Sequence, residues 1–185
     1  MYRNPILVRK ITHLTDARYF AAMGVDWISM ILGEEPASFM QWHALRDWVE
    51  GPKLIAELTS PDEMLLAKTI IDAKPNGLLL QDPRPLEIPA SMTLFVESEH
   101  PDFSRWPPDT CVILHDIHGS FTPDQLATLD PSRIFLQMDW TAERLETLLD
   151  SGYTGGICFT GGSEQATGMR NYDLMDEWLD VLATS

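Results

Sequence analysis

The sequence predicts a compact (β/α)8 barrel, and three observations predict it. Strand-like and helix-like stretches alternate eight times along the 185 residues, with no change of composition that would mark a second domain. Most of the strand-like stretches are continuous apolar runs, as in a parallel sheet covered on both faces. Eight strands left open at this length would also expose two long edges. An open doubly wound sheet is the alternative. Residues 1–185 are therefore read as a single TIM-barrel domain, with shortened crossovers after strands 4 and 5.

Residues 6–11 (ILVRKI) form strand 1. Thr12-His13-Leu14-Thr15-Asp16 is its exit loop, with Thr15 or Asp16 available to cap a helix carrying Ala17, Phe20 and Ala21 inward and ending at Gly24. Residues 27–32 form strand 2. Pro36 opens a helix with Phe39, Trp42, Leu45 and Val49 on one stripe, broken by Gly51-Pro52. Residues 53–58 form strand 3. Ser60-Pro61-Asp62-Glu63 starts a helix with Met64, Ala67, Ile70 and Ile71 as its apolar face. Residues 78–81 form strand 4.

Four prolines between Asp82 and Ala90, and three more between Pro101 and Asp109, reduce the next two crossovers to loops around strand 5 at residues 93–97. Residues 111–115 (CVILH) form strand 6, and Thr122-Pro123-Asp124 caps a short helix. Residues 133–138 form strand 7. Thr141 starts a helix with Leu145, Leu148 and Leu149 inward. Ile157-Cys158-Phe159 marks strand 8, and the last helix turns Leu174, Trp178, Val181 and Leu182 inward. Trp42, Trp48 and Trp178 fall on helical stripes and read as core.

Apolar residues make up 44% of the chain and charged residues 22%, which fits a globular protein. No run is long enough to span a bilayer, and the first ten residues lack the shape of a signal peptide. Cys111 and Cys158 sit inside apolar runs and read as buried free thiols of a cytoplasmic protein. The formal charge of −15 argues against nucleic acid and against an anionic membrane surface. It leaves room for a small anion, because a nest of backbone N–H groups binds locally.

In a parallel barrel, chemistry sits at the C-terminal ends of the strands. That rule selects Thr12, His13, Thr59, Gln81, Asp82, Glu97, Glu99, His115, Asp116, His118, Gln137, Asp139 and residues 160–164. After strand 8 the chain reads Thr160-Gly161-Gly162-Ser163, a strand ending in glycines before a helix. Such a loop aims bare N–H groups at an anion, and the phosphate site of this fold uses the loops after strands 7 and 8. The plainer reading is a turn. His115, Asp116 and His118 have metal-ligand side chains. In a strand-to-loop segment their imidazoles need not converge, so no metal is expected.

Lys10-Ile11-Thr12-His13-Leu14-Thr15, Asp16-Ala17, Gly24-Val25-Asp26 and the following strand together resemble the start of phosphoribosylanthranilate isomerase. That family opens on Lys-Ile-Cys-Gly-Leu-Thr, then Asp-Ala and Gly-Ala-Asp. Thr160-Gly161-Gly162-Ser163-Glu164 resembles the family's Ser-Gly-Val-Glu loop, and residues 168–173 resemble its Gly-Val-Lys-Asp segment. Asp116 resembles the aspartate that closes its strand 6.

The resemblance implies a (β/α)8 barrel of tryptophan biosynthesis that performs an Amadori rearrangement without a cofactor. It implies Asp116 as the acid, with Thr12 or His13 at the place of the base. Thr160, Gly161, Gly162 and Ser163 would hold phosphate, and Lys10, Gln81 and Glu164 would meet the substrate.

Departures are clear as well. The base is a cysteine in the family and Thr12 here, and a threonine hydroxyl is a poor proton acceptor. The arginine after strand 2 is replaced in Glu35-Pro36-Ala37. The glycine motifs after strands 6 and 7 are replaced by Ile117-His118-Gly119-Ser120 and Met138-Asp139-Trp140. Two readings stand: an isomerase with a degraded catalytic motif, or a non-catalytic or repurposed paralogue that binds a small phosphorylated metabolite. Either is expected as a monomer or homodimer.

Overall fold

The computed structural model describes residues 2–59, 62–81, 88–116, 119–161 and 172–183. Eight parallel strands close into a barrel in sequence order: β1 (Ile6–Arg9), β2 (Trp27–Ile31), β3 (Lys53–Leu58), β4 (Gly77–Leu80), β5 (Thr93–Ser98), β6 (Cys111–His115), β7 (Ile134–Gln137) and β8 (Gly156–Thr160). The ring closes where β1 pairs with β8, Arg9 standing opposite Thr160. Around it lie α1 (Leu14–Met23), α2 (Pro36–Trp48), α3 (Glu63–Lys68, continued by a π turn over Thr69–Ala73), α4 (Pro123–Ala127), α5 (Ala142–Asp150) and α6 (Asp173–Ala183). No helix occurs among the described residues between β4 and β5 or between β5 and β6, where the prolines concentrate. No described helix is long and apolar enough to cross a membrane.

Local chemistry sets the helix starts. Asp62 caps α3 by accepting from Leu65 N–H at 2.7 Å. Thr122 and Gln125 form a reciprocal capping box on α4, and Thr141 caps α5. At α1 the cap position is His13, with no side-chain bond. Asp16, expected as a possible cap, is buried and instead accepts from Tyr172 O–H on the approach to α6.

Several inward faces differ from the sequence expectation. On α3 and its π turn, Leu65, Thr69 and Ala73 are buried, whereas Met64 and Ile71 are exposed. Both faces of that segment carry apolar residues. Thr69 can be the inward one because its hydroxyl donates to Leu65 O at 2.8 Å. On α6 Leu182 is buried as expected, but the other buried residues are Met175 and Leu179, one step from the expected Leu174 and Trp178, with Leu174 outside and Trp178 half-buried on Phe159. Trp48, read as core, is 65% exposed at the end of α2. Strand 1 is also shorter than expected, because Lys10 adopts a left-handed φ of 56°.

Strand parity sorts the core into two regions. Outward residues pack under the helices. Inward, Leu7, Ile55, Phe95 and Phe135 of the odd-numbered strands interleave with Leu79, Ile113 and Cys158 of the even ones. Below them Gly77 and Gly156 make room for the rings. A Cβ on Gly156 would stand 2.4 Å from the Phe135 ring, and one on Gly77 would stand 2.9 Å from Phe95.

Candidate functional site

Two residues further along the odd-numbered strands, the inward positions are Arg9, Glu57, Glu97 and Gln137. This layer is polar throughout and forms the floor of the barrel mouth. Arg9 is 2% exposed. Its Nη2 and Nε donate to Glu57 Oε2 and Oε1 at 2.8 and 3.2 Å, and its Nη1 donates to Gln137 Oε1 at 3.1 Å. The same Nη1 meets Glu97 Oε1. Burial alone would pull the guanidinium pKa down. The bonds and charge of Glu57, with the further charge of Glu97, push the net value up, so Arg9 is a fixed cation.

Glu57 is also buried, and it accepts from Ser29 O–H and from Lys10 N–H, the latter at 3.3 Å. The Lys10 N–H also reaches Ser29 Oγ at 3.1 Å, so the left-handed turn at Lys10 is locked onto this cluster. Glu97 lies within 3.4 Å of His115 Nε2, the last residue of β6. Its carboxyl is lowered to about 2, first by the His115 hydrogen bond and then by Arg9, against an opposing effect of burial. Gln137 passes the network on to Thr160 Oγ1 at 3.2 Å.

Arg9 and Glu57 were not singled out from the sequence. The available signal was a charged residue at an inward-parity position of an otherwise apolar strand, which reads at first as a simple interruption. Glu97, His115 and Gln137 were selected by the strand-end rule, and the structure brings them together.

The other candidates fall as follows. Thr12 and His13 are exposed, beyond the turn at Lys10. Lys10 is exposed too, one residue past the end of β1. Gln81 is exposed at the end of β4. Thr160 ends β8 with an exposed hydroxyl. Gly161 donates its N–H to Arg9 O at 2.6 Å, and a Cβ there would stand 2.7 Å from Ile11. Its glycine character thus serves close packing on β1. Gly162, Ser163, Glu164, His118 and Asp82 lie outside the described residues.

Asp116 is buried at the end of β6. Its Oδ1 accepts from Ser120 N–H at 2.6 Å and from Ser120 O–H at 2.8 Å, and its Oδ2 accepts from Phe121 N–H at 3.0 Å. It organises the loop into α4. Beside it an open groove of about 560 Å3 runs toward α5, bordered by Phe121, Met138, Arg144 and Leu148.

Neither cysteine offers a thiolate at neutral pH. Burial pushes Cys111 up to about 11 and Cys158 further still. Among the described residues, no three His, Cys, Asp or Glu side chains are grouped to hold a metal ion.

By sequence, no family profile matches the chain, nor does any curated protein. By structure it is similar to a phosphoribosylanthranilate isomerase from Thermus thermophilus, at 16% identity and a TM-score of 0.73, over 97% of this chain and 98% of the other. It is similar to monomers generated from the dimeric phosphoribosylanthranilate isomerase of Thermotoga maritima, at 12% identity and a TM-score of 0.74, over 98% and 100% of the two chains. Another such isomerase, in complex with reduced 1-(o-carboxyphenylamino)-1-deoxyribulose 5-phosphate, matches at 12% identity and a TM-score of 0.74, over 97% and 98%. A thiamine phosphate pyrophosphorylase from Bacteroides thetaiotaomicron matches less closely, at 14% identity and a TM-score of 0.63, over 96% and 95%. The chain therefore has the fold of the phosphoribosylanthranilate isomerases from end to end, at an identity where likeness of fold does not carry likeness of activity.

Proposed function

We propose that this chain is a repurposed barrel of the phosphoribosylanthranilate isomerase type. Its mouth binds a small phosphorylated, sugar-like metabolite, and the family's strand 1 relay is not retained. One observation carries the reading. The inward mouth position of β1 is Arg9, a permanent cation bonded to two carboxylates and an amide, where a proton relay needs a group able to accept a proton. Thr12 stands outside this network, and the Asp116 oxygens are occupied by donors of their own loop.

Phosphate is assigned to the β1–β8 seam. There Arg9 stands opposite Thr160, so Lys10 and Gly161 are the next residues along the seam, and Lys10, Thr160 and Gly161, with Gly162 and Ser163 from the sequence, are the groups proposed to meet the phosphate. Gln81 and the groove beside Asp116 are available to the rest of the ligand.

Isothermal titration with ribose 5-phosphate tests the reading. Binding that weakens about tenfold or more in Lys10→Ala supports it, on the scale of a charge-assisted contact. Silence at millimolar ligand sinks it. Growth of a tryptophan auxotroph lacking the isomerase, rescued by this chain, would return the family's own reaction with Asp116 as acid and Thr12 or His13 as base.

A further inference from the structure

We infer that the outer face of α2 and α3 is a docking surface for a basic amphipathic helix of another protein, one that carries apolar residues along one side with lysines or arginines beside them. Six large apolar side chains are exposed among the described residues, and four of them fall on this pair of helices: Met40 and Trp48 on α2, Met64 on α3 and Ile71 on its π turn. Each of the four is at least 65% exposed. Scattered singly, such residues need no account; grouped on one face, they mark an interaction surface.

The grouping is periodic. Ala37, Met40, Ala44 and Trp48 follow one another at steps of three, four and four, and Met64, Ala67 and Ile71 at three and four, all of them exposed. This is the spacing of a helical stripe, and each helix already buries a different one: Phe39, Trp42 and Leu45 on α2, and Leu65, Thr69 and Ala73 on α3 and its π turn. On α5, by contrast, the outer residues are Glu143, Arg144, Glu146, Thr147 and Asp150. The two helices touch, since Trp42 Nε1 donates to Ala73 O at 2.9 Å, so the two exposed stripes lie side by side.

Charge decides the occupant. The cations of the pair are each turned onto the other helix: Arg46 Nη1 donates to Ala73 O at 3.4 Å, and Lys68 Nζ stands 4.1 Å from the centre of the Phe39 ring. Asp47, which Arg46 also meets at 3.6 Å, lies on the outer side with Glu63 and Asp72, and Glu35 and Glu50 flank the two ends of α2. Glu35, Glu50, Glu63 and Asp72 have no ion-pair partner among the described residues. Against these acids stands Lys74, exposed just past the π turn. An apolar strip edged by carboxylates complements an apolar strip edged by cations. A second copy of this chain, or an anionic membrane, would set the acidic edge against its own sign, in a chain whose net charge is already −15.

Fluorescence anisotropy tests this with the full chain and a fluorescein-labelled peptide of about 18 leucines and lysines, the leucines on one helical face. Saturable binding at micromolar peptide is expected, with none for a peptide of the same composition in scrambled order. Trp48→Ser with Met64→Ser should weaken it about tenfold or more. Glu63→Lys with Asp72→Lys should do the same and flatten its dependence on salt. Glu146→Lys with Asp150→Lys, an equal charge change on α5, should leave it within about threefold. Circular dichroism melting identifies any variant that has not folded, and the other pair then carries the comparison. No saturable binding overturns the proposal. Equal binding of the scrambled peptide, or an equal loss from the α5 pair, overturns it too, by showing attraction to net charge alone. Sedimentation equilibrium of the chain without peptide covers the remaining occupant. A monomer, or a dimer indifferent to Trp48→Ser with Met64→Ser, agrees with the proposal, and a dimer that those changes dissociate gives the face to a second copy and overturns it.

Discussion

Leu7, Ile55, Phe95 and Phe135 form one layer inside the barrel, and Arg9, Glu57, Glu97 and Gln137 form the next, only about 7 Å nearer the mouth. The same four strands supply both. The lower layer is held by shape: two phenyl rings fill the space that Gly77 and Gly156 leave free. The upper layer is held by pairing: one guanidinium satisfies two carboxylates and an amide. Shape complementarity is tolerant of chemistry and intolerant of volume, and ion pairing is the reverse. A barrel whose only task was to fold could continue the apolar layer upward. On the proposed function, the polar floor of this mouth is where stability is given up for a site.

The largest expected effect comes from breaking the pairing. Arg9→Met leaves Glu57 and Glu97 without their cation and should cost about 3–5 kcal/mol in urea unfolding. Replacing all three at once, Arg9→Met with Glu57→Leu and Glu97→Leu, should recover most of that loss, because an apolar layer carries no desolvation cost. A single Arg9→Met protein as stable as wild type would mean that the upper layer is solvated and not sealed.

The shape-held layer should fail differently. Gly156→Ala drives a methyl group into the Phe135 ring and should cost about 1–3 kcal/mol. Phe135→Leu in the same chain should relieve part of it. An additive pair, each change costing what it costs alone, would count against direct contact between the two positions.

The contrast also explains what could be read in advance. The apolar runs of β1 to β8, the prolines after β4 and β5, and the helix starts at Ser60-Pro61-Asp62-Glu63, Thr122 and Thr141 are local signals, and they led to the barrel and its order. The floor is not local. Arg9 finds Glu57 on β3, Glu97 on β5 and Gln137 on β7, partners joined only by closure of the ring. A charge in an apolar strand says that a partner exists without saying which one.

The end of β1 was hidden for a related reason. The left-handed turn at Lys10 is stabilised by Ser29 and Glu57, and nothing in the Arg-Lys-Ile sequence demands it. On α3 and α6 the difficulty was surplus signal. Apolar residues on adjacent faces left the choice of stripe to the packing of neighbours.

The smallest expected effect is an acid one, and it isolates Glu97 within the floor. Its folded carboxyl is lowered from 4.5 to about 2 by the His115 hydrogen bond and by Arg9. A depressed carboxyl binds fewer protons folded than unfolded. Its stabilisation is therefore complete above about 4.5 and lost as pH falls from there toward about 2. Glu97 is partly exposed, and solvent screening brings the effect to about 1 kcal/mol. Unfolding free energies of wild type and Glu97→Gln, measured at steps from pH 6 down to pH 3, should converge as the acid end is approached, because the glutamine variant has no such proton to take up. Parallel curves, with a constant gap, would show that Glu97 holds Arg9 by geometry alone and that its charge is not what the upper layer depends on.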